Sequence, residues 1–238
     1  MPNRWETLSL DAGEMRCYVS QPVSGARPFA AVIVIQHAGG VDEFIRRMSD
    51  RLAEAGFAAI APDLYHREDP NSSDDPMTRM MRLRDRNIVP DVTAVLDYAG
   101  TLAEVDAGRI GITGFCMGGR VTYLMCGSDE RFKAGVVFYG GNIMVPWGQG
   151  SSPLDISDSI RAPILGLFGE DDPNPNPDDV AKIDAELSRL GKAHEFHSYP
   201  GAGHAFMNED RPSYRQEAAQ DAWARCVSWF DRHLKESR

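Results

Sequence analysis

The run Gly114-Phe115-Cys116-Met117-Gly118-Gly119 places one cysteine at the centre of a glycine-rich turn, between a strand-like and a helix-like segment. A sharp strand-to-helix turn lifts its central side chain above a sheet. It requires small residues two positions before and after, because the two backbones nearly touch. Gly114 and Gly118 occupy these positions. A helix N-terminus also favours the thiolate, which is the form that attacks. We therefore predict Cys116 as a nucleophile; the alternative is a buried structural cysteine in a tight turn.

An acidic pair and a histidine follow two later strand-like segments. Asp171 and Asp172 come after the apolar segment that ends near Gly169, and His204 lies in a turn that contains two glycines. A cysteine with an ordinary pKa of about 8.5 needs a base at neutral pH, and an imidazole oriented by a carboxylate can be that base. We expect His204 as the base and Asp172 as its partner, because Asp172 stands three residues beyond Gly169. Asp171 is the alternative acid, and simple turn or loop roles are the non-catalytic alternatives for all three.

The chain alternates strand-like and helix-like segments, and these elements must position the three residues. Phe29 to Ile35 is apolar throughout, as a strand buried on both faces should be. Further strands are predicted at 58–61, 109–115, 133–138, 163–168 and 195–199, with an edge strand at 14–20. This alternation predicts an α/β fold with a mostly parallel central sheet, flanked by helices on both faces, in a single domain spanning residues 1–238. Cys116, Asp172 and His204 then lie at the carboxyl edge of the sheet, in the order typical of the α/β-hydrolase fold.

Size and charge narrow the classes of protein and partner. The chain has 238 residues and a formal net charge of −10, which disfavours nucleic acids and anionic membranes as partners. No apolar run has the length of a membrane span and no signal peptide is recognisable, so a cytoplasmic location is expected.

The four cysteines form no Cys-x-x-Cys pair, so no zinc or redox motif is indicated. His194 and His197 are three apart in a strand and point to opposite faces. We therefore predict no metal and no cofactor.

The whole chain resembles the dienelactone hydrolase family, also called carboxymethylenebutenolidases. The resemblance rests on residues 114–119, on Pro62-Asp63-Leu64-Tyr65, on Tyr139-Gly140 and on Ala202-Gly203-His204 with Phe206. It implies that a Cys-His-Asp triad hydrolyses a small ester or lactone through a thioester. It also implies an oxyanion hole formed by the backbone N–H groups of Met117 and Ala38, each contributing on the order of 3 kcal/mol to transition-state stabilisation.

Two positions depart from the pattern of that family. His37 stands where the resemblance implies a glutamate that holds the cysteine and helps to ionise it. His37 can instead form an ion pair with the thiolate or support the oxyanion loop. Asn208 stands where the family has a substrate-binding arginine, and Arg211 is the nearest replacement. Both changes point away from dienelactone itself as the substrate.

Candidate substrate-binding residues lie near the carboxyl ends of the predicted strands. They are His37, Tyr65, Tyr139, Trp147 and Phe206, for which ordinary packing is the alternative. Arg79, Arg82 and Arg86 are predicted to share one helix face, which either recruits a carboxylate or is simply solvated.

Two other functions compete with hydrolysis. One is a ligand-binding or thiol redox-sensing protein that has kept the fold, and the other is an acyltransferase. The partner expected from the hydrolase interpretation is a small ester or lactone, bound by a monomer or a small homo-oligomer.

Overall fold

The computed structural model describes residues 3–69 and 71–235, which form one eight-stranded sheet with helices on both faces. The strands are β1 (Asn3–Leu10), β2 (Gly13–Ser20), β3 (Phe29–Ile35), β4 (Ala58–Pro62), β5 (Val105–Phe115), β6 (Gly135–Phe138), β7 (Ile164–Gly169) and β8 (His194–Tyr199). The helices are α1 (Glu43–Glu54), α2 (Pro76–Arg82), α3 (Asp85–Thr101), α4 (Met117–Ser128), α5 (Pro177–Arg189) and α6 (Gln216–Phe230). A 3₁₀ helix (Leu154–Ser159) and a π-helical turn (Asp231–Lys235) complete the described elements.

The order of strands across the sheet is β1-β2-β4-β3-β5-β6-β7-β8. The strands from β4 to β8 in this order pair in parallel, whereas β1 and β2 pair antiparallel with their neighbours. The mostly parallel α/β prediction is confirmed, and the sheet has the α/β-hydrolase fold.

The apolar residues of β3 serve both faces of the sheet, and all seven are buried. Ile33 and Ile35 belong to the core beneath α3, α4 and α5, whereas Val32 and Val34 belong to the core beneath α1 and α6. Because successive side chains of a strand point to opposite faces, a run of large apolar residues fills both cores at once. The carboxyl ends of β3, β5, β7 and β8 are thereby held at one edge of the sheet.

The prediction of an edge strand at residues 14–20 is wrong in its position. These residues form β2, which has neighbours on both sides, and β1 is the edge. Most of β1 is exposed or half-buried, so its sequence lacks a clear apolar pattern. An edge strand with polar side chains gives little periodicity to detect.

The prediction of one arginine-bearing helix face is also wrong. The chain leaves α2 at Leu83, whose ψ of 145° is extended, and Arg86 belongs to α3. Arg79 donates to Glu68 at 2.7 Å, and Arg82 contacts Asp74 at 2.6 Å. These guanidinium groups are paired within the chain, so they do not form a shared site for a substrate carboxylate.

Candidate active site

Cys116 stands at the turn between β5 and α4 in a strained conformation. Its φ is 59° and its ψ is −121°, values that cost of order 1–3 kcal/mol for a residue with a side chain. The turn is tight enough to require both predicted glycines: a Cβ on Gly114 would lie 2.2 Å from the carbonyl oxygen of Gly118, and a Cβ on Gly118 would lie 2.4 Å from that of Ile35. The packing of strand against helix therefore fixes the thiol at the carboxyl edge of the sheet.

Asp172 and His204 meet at the same edge, although 32 residues separate them. The Nδ1 atom of His204 lies 2.8 Å from Oδ2 of Asp172, whose side chain is fully buried. The second oxygen of Asp172 accepts a hydrogen bond from the backbone N–H of Asn174 at 2.8 Å. Asp171 is exposed. Of the two candidate acids, the structure brings only Asp172 to His204.

The electrostatics of His204 favour its protonated form. Burial alone lowers the pKa of His204, but hydrogen bonds to Asp172 and Cys116, with the negative charges of both groups, outweigh it and raise the pKa to about 10. The Nδ1 atom is engaged by Asp172, so the other ring nitrogen is the one free to exchange a proton with the thiol. An imidazolium next to Cys116 stabilises a thiolate.

The other three cysteines have a different environment from Cys116. Cys17, Cys126 and Cys226 are buried, whereas Cys116 is half-buried and lines a cavity. Burial raises the pKa of Cys17 and Cys126 to about 12, and it also raises that of Cys226. Cys116 is therefore the one cysteine here whose position suits nucleophilic attack.

Ala38 and Met117, the two residues predicted to form the oxyanion hole, are linked through Tyr65. The phenol of Tyr65 donates to the carbonyl oxygen of Ala38 at 2.9 Å and lies 3.6 Å from Sδ of Met117. Tyr65 is buried and is covered by the guanidinium of Arg79, 4.1 Å from its ring centroid. Met117 is the first residue of α4, so its N–H has no acceptor within the helix. Tyr65 thus holds the loop that carries Ala38. It is not among the residues that line the cavities at Cys116, so its predicted role as a cavity wall is not supported.

Phe206 also lies behind the cavity. It is fully buried and packs edge-on against Tyr139, with ring centroids 5.3 Å apart. Tyr139 contacts the ring of His204 in turn, at 5.2 Å between centroids. The predicted wall role of Phe206 is therefore not supported, since a completely covered ring cannot contact a substrate. Its position holds Tyr139, which does line the cavity.

Two cavities, which we call the arginine lobe and the tryptophan lobe, share Cys116 and His204 among their lining residues. The arginine lobe has a volume of ≈ 460 Å³ and the tryptophan lobe one of ≈ 370 Å³; Met77, Cys116 and His204 line both. The arginine lobe is further lined by His37, Ala38, Gly39, Phe44, Pro76, Tyr139, Ala205, Asn208, Arg211 and Ser213. The tryptophan lobe is further lined by Met80, Met117, Gly141, Asn142, Trp147, Asp172, Pro173 and Asn174. Cys116 and His204 therefore border both lobes.

His37 is tied to the start of α1. Its Nε2 atom lies 2.8 Å from Oδ2 of Asp42, and the other oxygen of Asp42 caps the helix by accepting from the N–H of Ile45 at 3.1 Å. Burial alone raises the pKa of Asp42, but the bonds from His37 and from the helix N–H groups lower it overall. The turn is closed by the N–H of Gly40, which donates to the carbonyl of His37 at 3.0 Å. These contacts favour the loop-support interpretation of His37.

A buried ion pair that was not identified in the sequence holds the loop before Trp147. Arg120 is completely buried in α4 and makes a two-fold contact with Asp85, at 2.6 and 2.8 Å. It also donates to the carbonyls of Asn142 and Val145, and its guanidinium lies 4.1 Å from the ring centroid of Trp147. A lone arginine within an otherwise mostly apolar helix was the feature of the sequence that could have revealed this ion pair, because a buried charge requires a partner.

Comparison with known proteins agrees with this geometry. The model of the dienelactone hydrolase family matches residues 15–234. The chain belongs to the dienelactone hydrolase family. A protein of Escherichia coli strain K12 named "Putative carboxymethylenebutenolidase" is 39% identical over 228 residues, which cover 92% of this chain and 83% of that protein. A Bradyrhizobium protein named "Probable 2-oxo-3-(5-oxofuran-2-ylidene)propanoate lactonase" is 33% identical, covering 96% of each chain.

Comparison with a solved structure also supports the family and the fold of this chain. The crystal structure of a "Putative Dienelactone Hydrolase" from Klebsiella pneumoniae is similar to this chain, with a TM-score of 0.88 and 35% sequence identity over 96% of this chain and 98% of that one. The resemblance to the family and the α/β-hydrolase fold are thus confirmed, and a hydrolase with a small-molecule substrate follows from the family.

Residues 3–69 and 71–235 contain neither a cluster of metal-binding side chains nor a membrane-spanning helix. No group of three His, Cys, Asp or Glu side chains there could hold a metal ion. His194 contacts Asp184 and His197 contacts Glu195, so each imidazole has its own carboxylate partner. No helix in these ranges is long and apolar enough to cross a membrane.

Proposed function

We propose that this protein hydrolyses a small ester or lactone by attack of Cys116 on the carbonyl carbon. The observation that carries the proposal is the meeting of a half-buried cysteine, a histidine and a buried aspartate beside the two lobes. Membership of the dienelactone hydrolase family supports the reaction type, and the lactonase name of the Bradyrhizobium relative supports a lactone among the substrates. We further propose that residues 1–238 act as one domain.

In the first half of the reaction, the thiolate of Cys116 adds to the carbonyl carbon and forms a tetrahedral oxyanion. The N–H groups of Met117 and Ala38 are the proposed donors to that oxyanion. As the C–O bond breaks, the imidazolium of His204 gives its proton to the leaving oxygen, and a thioester on Cys116 remains.

In the second half, neutral His204 takes a proton from water, and the hydroxide formed attacks the thioester carbon. The C–S bond breaks, the carboxylic acid leaves, and the thiolate and imidazolium are restored. Asp172 holds the imidazole in the required orientation and stabilises its charge in both halves.

The test compares dienelactone, p-nitrophenyl acetate and an unrelated lactone as substrates for the wild type and three variants. We expect Cys116→Ala to be inactive and Asp172→Asn to lose on the order of 10²–10⁴ in kcat, by analogy with other triads. Asp171→Asn is the matched control, because it removes the neighbouring exposed carboxylate and should keep full activity. Intact-mass detection of an acyl group on Cys116 after rapid quenching tests the thioester.

Hydrolysis that survives Cys116→Ala would refute the proposal. A Cys116 that alkylates rapidly in a protein inert toward all three substrates would favour the binding or redox-sensing alternative. Diversion of the acyl group to an added alcohol or thiol would indicate an acyltransferase. The cytoplasmic location, the absence of a nucleic-acid partner and the oligomeric state stay predictions from the sequence.

A further inference from the structure

We propose that the tryptophan lobe is a subsite for an aromatic ring carried by one half of the substrate. The inference rests on the proposed ester hydrolysis, because the lobe matters only if bond cleavage takes place at Cys116. It goes further by naming the chemical class of the substrate: an open ester with an aryl group close to the scissile bond, rather than a compact lactone alone.

The position of the lobe gives the first argument. Cys116 and His204 line it directly, so a group seated there is joined to the reacting carbonyl by only a few bonds. The same two residues also line the arginine lobe. A substrate that occupies both lobes has an extended shape, with its carbonyl at Cys116.

The chemistry of the walls gives the second argument. Met77, Met80, Trp147 and Pro173 present apolar surface to the lobe. Asn142 and Asn174 supply neutral amides, and the carboxylate of Asp172 is fully buried and already bonded to His204. Among the described residues, no arginine or lysine lines this lobe. The one cationic group among its described lining residues is the imidazolium of His204, which already pairs with Asp172, so the lobe suits an uncharged group better than a carboxylate.

The fixed orientation of Trp147 gives the third argument. Its backbone N–H donates to Oδ2 of Asp85 at 2.9 Å, and its carbonyl accepts from the N–H of Asp85 at 2.9 Å. The guanidinium of Arg120 covers the indole at 4.1 Å from its centroid. A rigid indole loses little conformational entropy on binding, and it offers an aromatic ligand stacked or edge-on contact.

The two methionines give the fourth argument. Met77 and Met80 belong to α2, a surface helix without a buried residue, and Met77 is 55% exposed. Methionine side chains adapt their shape and make favourable sulfur–aromatic contacts. An aromatic ring between them and Trp147 covers apolar surface that otherwise faces water.

The experiment uses methyl acetate, methyl phenylacetate and benzyl acetate, in a pH-stat assay corrected for the rates of hydroxide-catalysed hydrolysis. The second ester carries the ring on its acyl half and the third on its alcohol half. For the wild type we expect kcat/KM for at least one of the aryl esters to exceed that for methyl acetate by roughly tenfold or more. Trp147→Ala should lower this ratio about tenfold, and Trp147→Phe should keep most of it.

Met81→Ala is the control variant. Met81 lies on the same helix, is 69% exposed and lines neither lobe, so its loss should leave the ratio unchanged. Thermal unfolding of each variant separates a loss of the subsite from a loss of the fold. An aryl preference that is absent in the wild type, or unchanged in Trp147→Ala, overturns the inference.

Failure of the proposed reaction can be distinguished from failure of this inference by a binding measurement. If the wild type hydrolyses none of the three esters, benzyl alcohol and phenylacetate are titrated into the wild type and Trp147→Ala by calorimetry. Binding that weakens about tenfold in Trp147→Ala supports the subsite without turnover. Equal binding by the two proteins, or no binding to the wild type, overturns it.

Discussion

Replacement of Arg120 by methionine should destabilise the protein more than any exposed charge replacement. The side chain is completely buried, and its guanidinium makes two contacts with Asp85 and one with each of two carbonyls. Methionine fills much of the same volume but leaves the carboxylate of Asp85 without its cation. That carboxylate is only 15% exposed, so water cannot fully replace the lost partner.

The magnitude follows from what Asp85 loses and what it keeps. Removing one partner of a buried ion pair costs about 3–5 kcal/mol. Asp85 keeps the N–H of Trp147 as a donor and stands in the first turn of α3, where the helix dipole favours a negative charge by about 0.3–1 kcal/mol. We therefore expect a loss of about 3 kcal/mol in the free energy of unfolding, near the lower end of that range. For a chain of this size, this lowers Tm by roughly 6–12 °C.

The assay is urea unfolding at pH 7, followed by intrinsic fluorescence, for Arg120→Met, Asp85→Asn and the double variant. A neutral pair leaves no uncompensated charge, so the double variant should be more stable than Arg120→Met by at least about 1 kcal/mol. Arg131→Met is the control, because Arg131 makes ion pairs with Asp97 and Asp129 but is 46% exposed. Its loss should cost no more than about 1 kcal/mol.

Two results would refute the reasoning. One is a loss below about 1 kcal/mol in Arg120→Met, which would mean that water or a rearranged loop satisfies Asp85. The other is additivity of the two single changes within about 0.5 kcal/mol, which would mean that the pair is not energetically coupled.

Three further predictions concern the reactive site and its neighbours. In native protein, iodoacetamide should modify Cys116 within minutes and leave the three buried thiols intact, as checked by peptide mass mapping; modification of another cysteine at a similar rate contradicts this. Because the pKa of His204 is raised to about 10 from an ordinary value of 6.5, its charged form stabilises the fold fully below pH 6.5, and this contribution is lost as the pH rises to 10. His204→Gln should remove this decline from a plot of unfolding free energy against pH, and an unchanged slope contradicts the assignment. Asp42→Asn should keep the helix cap, since asparagine caps as well as aspartate, but weaken the hold on His37. Stability should change by less than about 0.5 kcal/mol while kcat on p-nitrophenyl acetate falls by up to about tenfold; a kcat equal to that of the wild type would show that the contact has no role in turnover.

Much of the sheet could be predicted because each buried strand is a short apolar run that is visible in the sequence itself. Phe29–Ile35 is apolar at every position, and the structure has a strand with the same bounds. The exposed strand β1 was missed because its polar side chains give no such pattern. Helix α3 begins at Asp85 and continues through Pro90, although a proline removes a hydrogen bond from a helix interior. Tertiary packing against the sheet outweighs the hydrogen bond that the proline removes.

In the candidate site, too, some features could be predicted from the sequence and others required the folded structure. The types and order of Cys116, Asp172 and His204 are legible in the sequence because each follows a strand whose end the pattern reveals. The preference for Asp172 over Asp171 was inferred from spacing, and the 2.8 Å contact with His204 could be measured only in the folded chain. Tyr65 and Phe206 were assigned to the cavity wall from their positions at strand ends. Whether such a ring faces the cavity or the core depends on the packing around it, which is not encoded at a single position.

The sequence by itself determined the fold class, the tight turn at Cys116 and the identity of the candidate catalytic residues. These features depend on residue type and local spacing, such as the absence of a Cβ at Gly114 and Gly118. Only the tertiary structure decided which side chains meet: the contact of His37 with Asp42, the burial of Arg120 against Asp85, and the two lobes that share Cys116 and His204. The contact of Arg120 with Asp85 joins residues 35 positions apart, and contacts of this kind form only when the sheet brings helices and loops together at one edge.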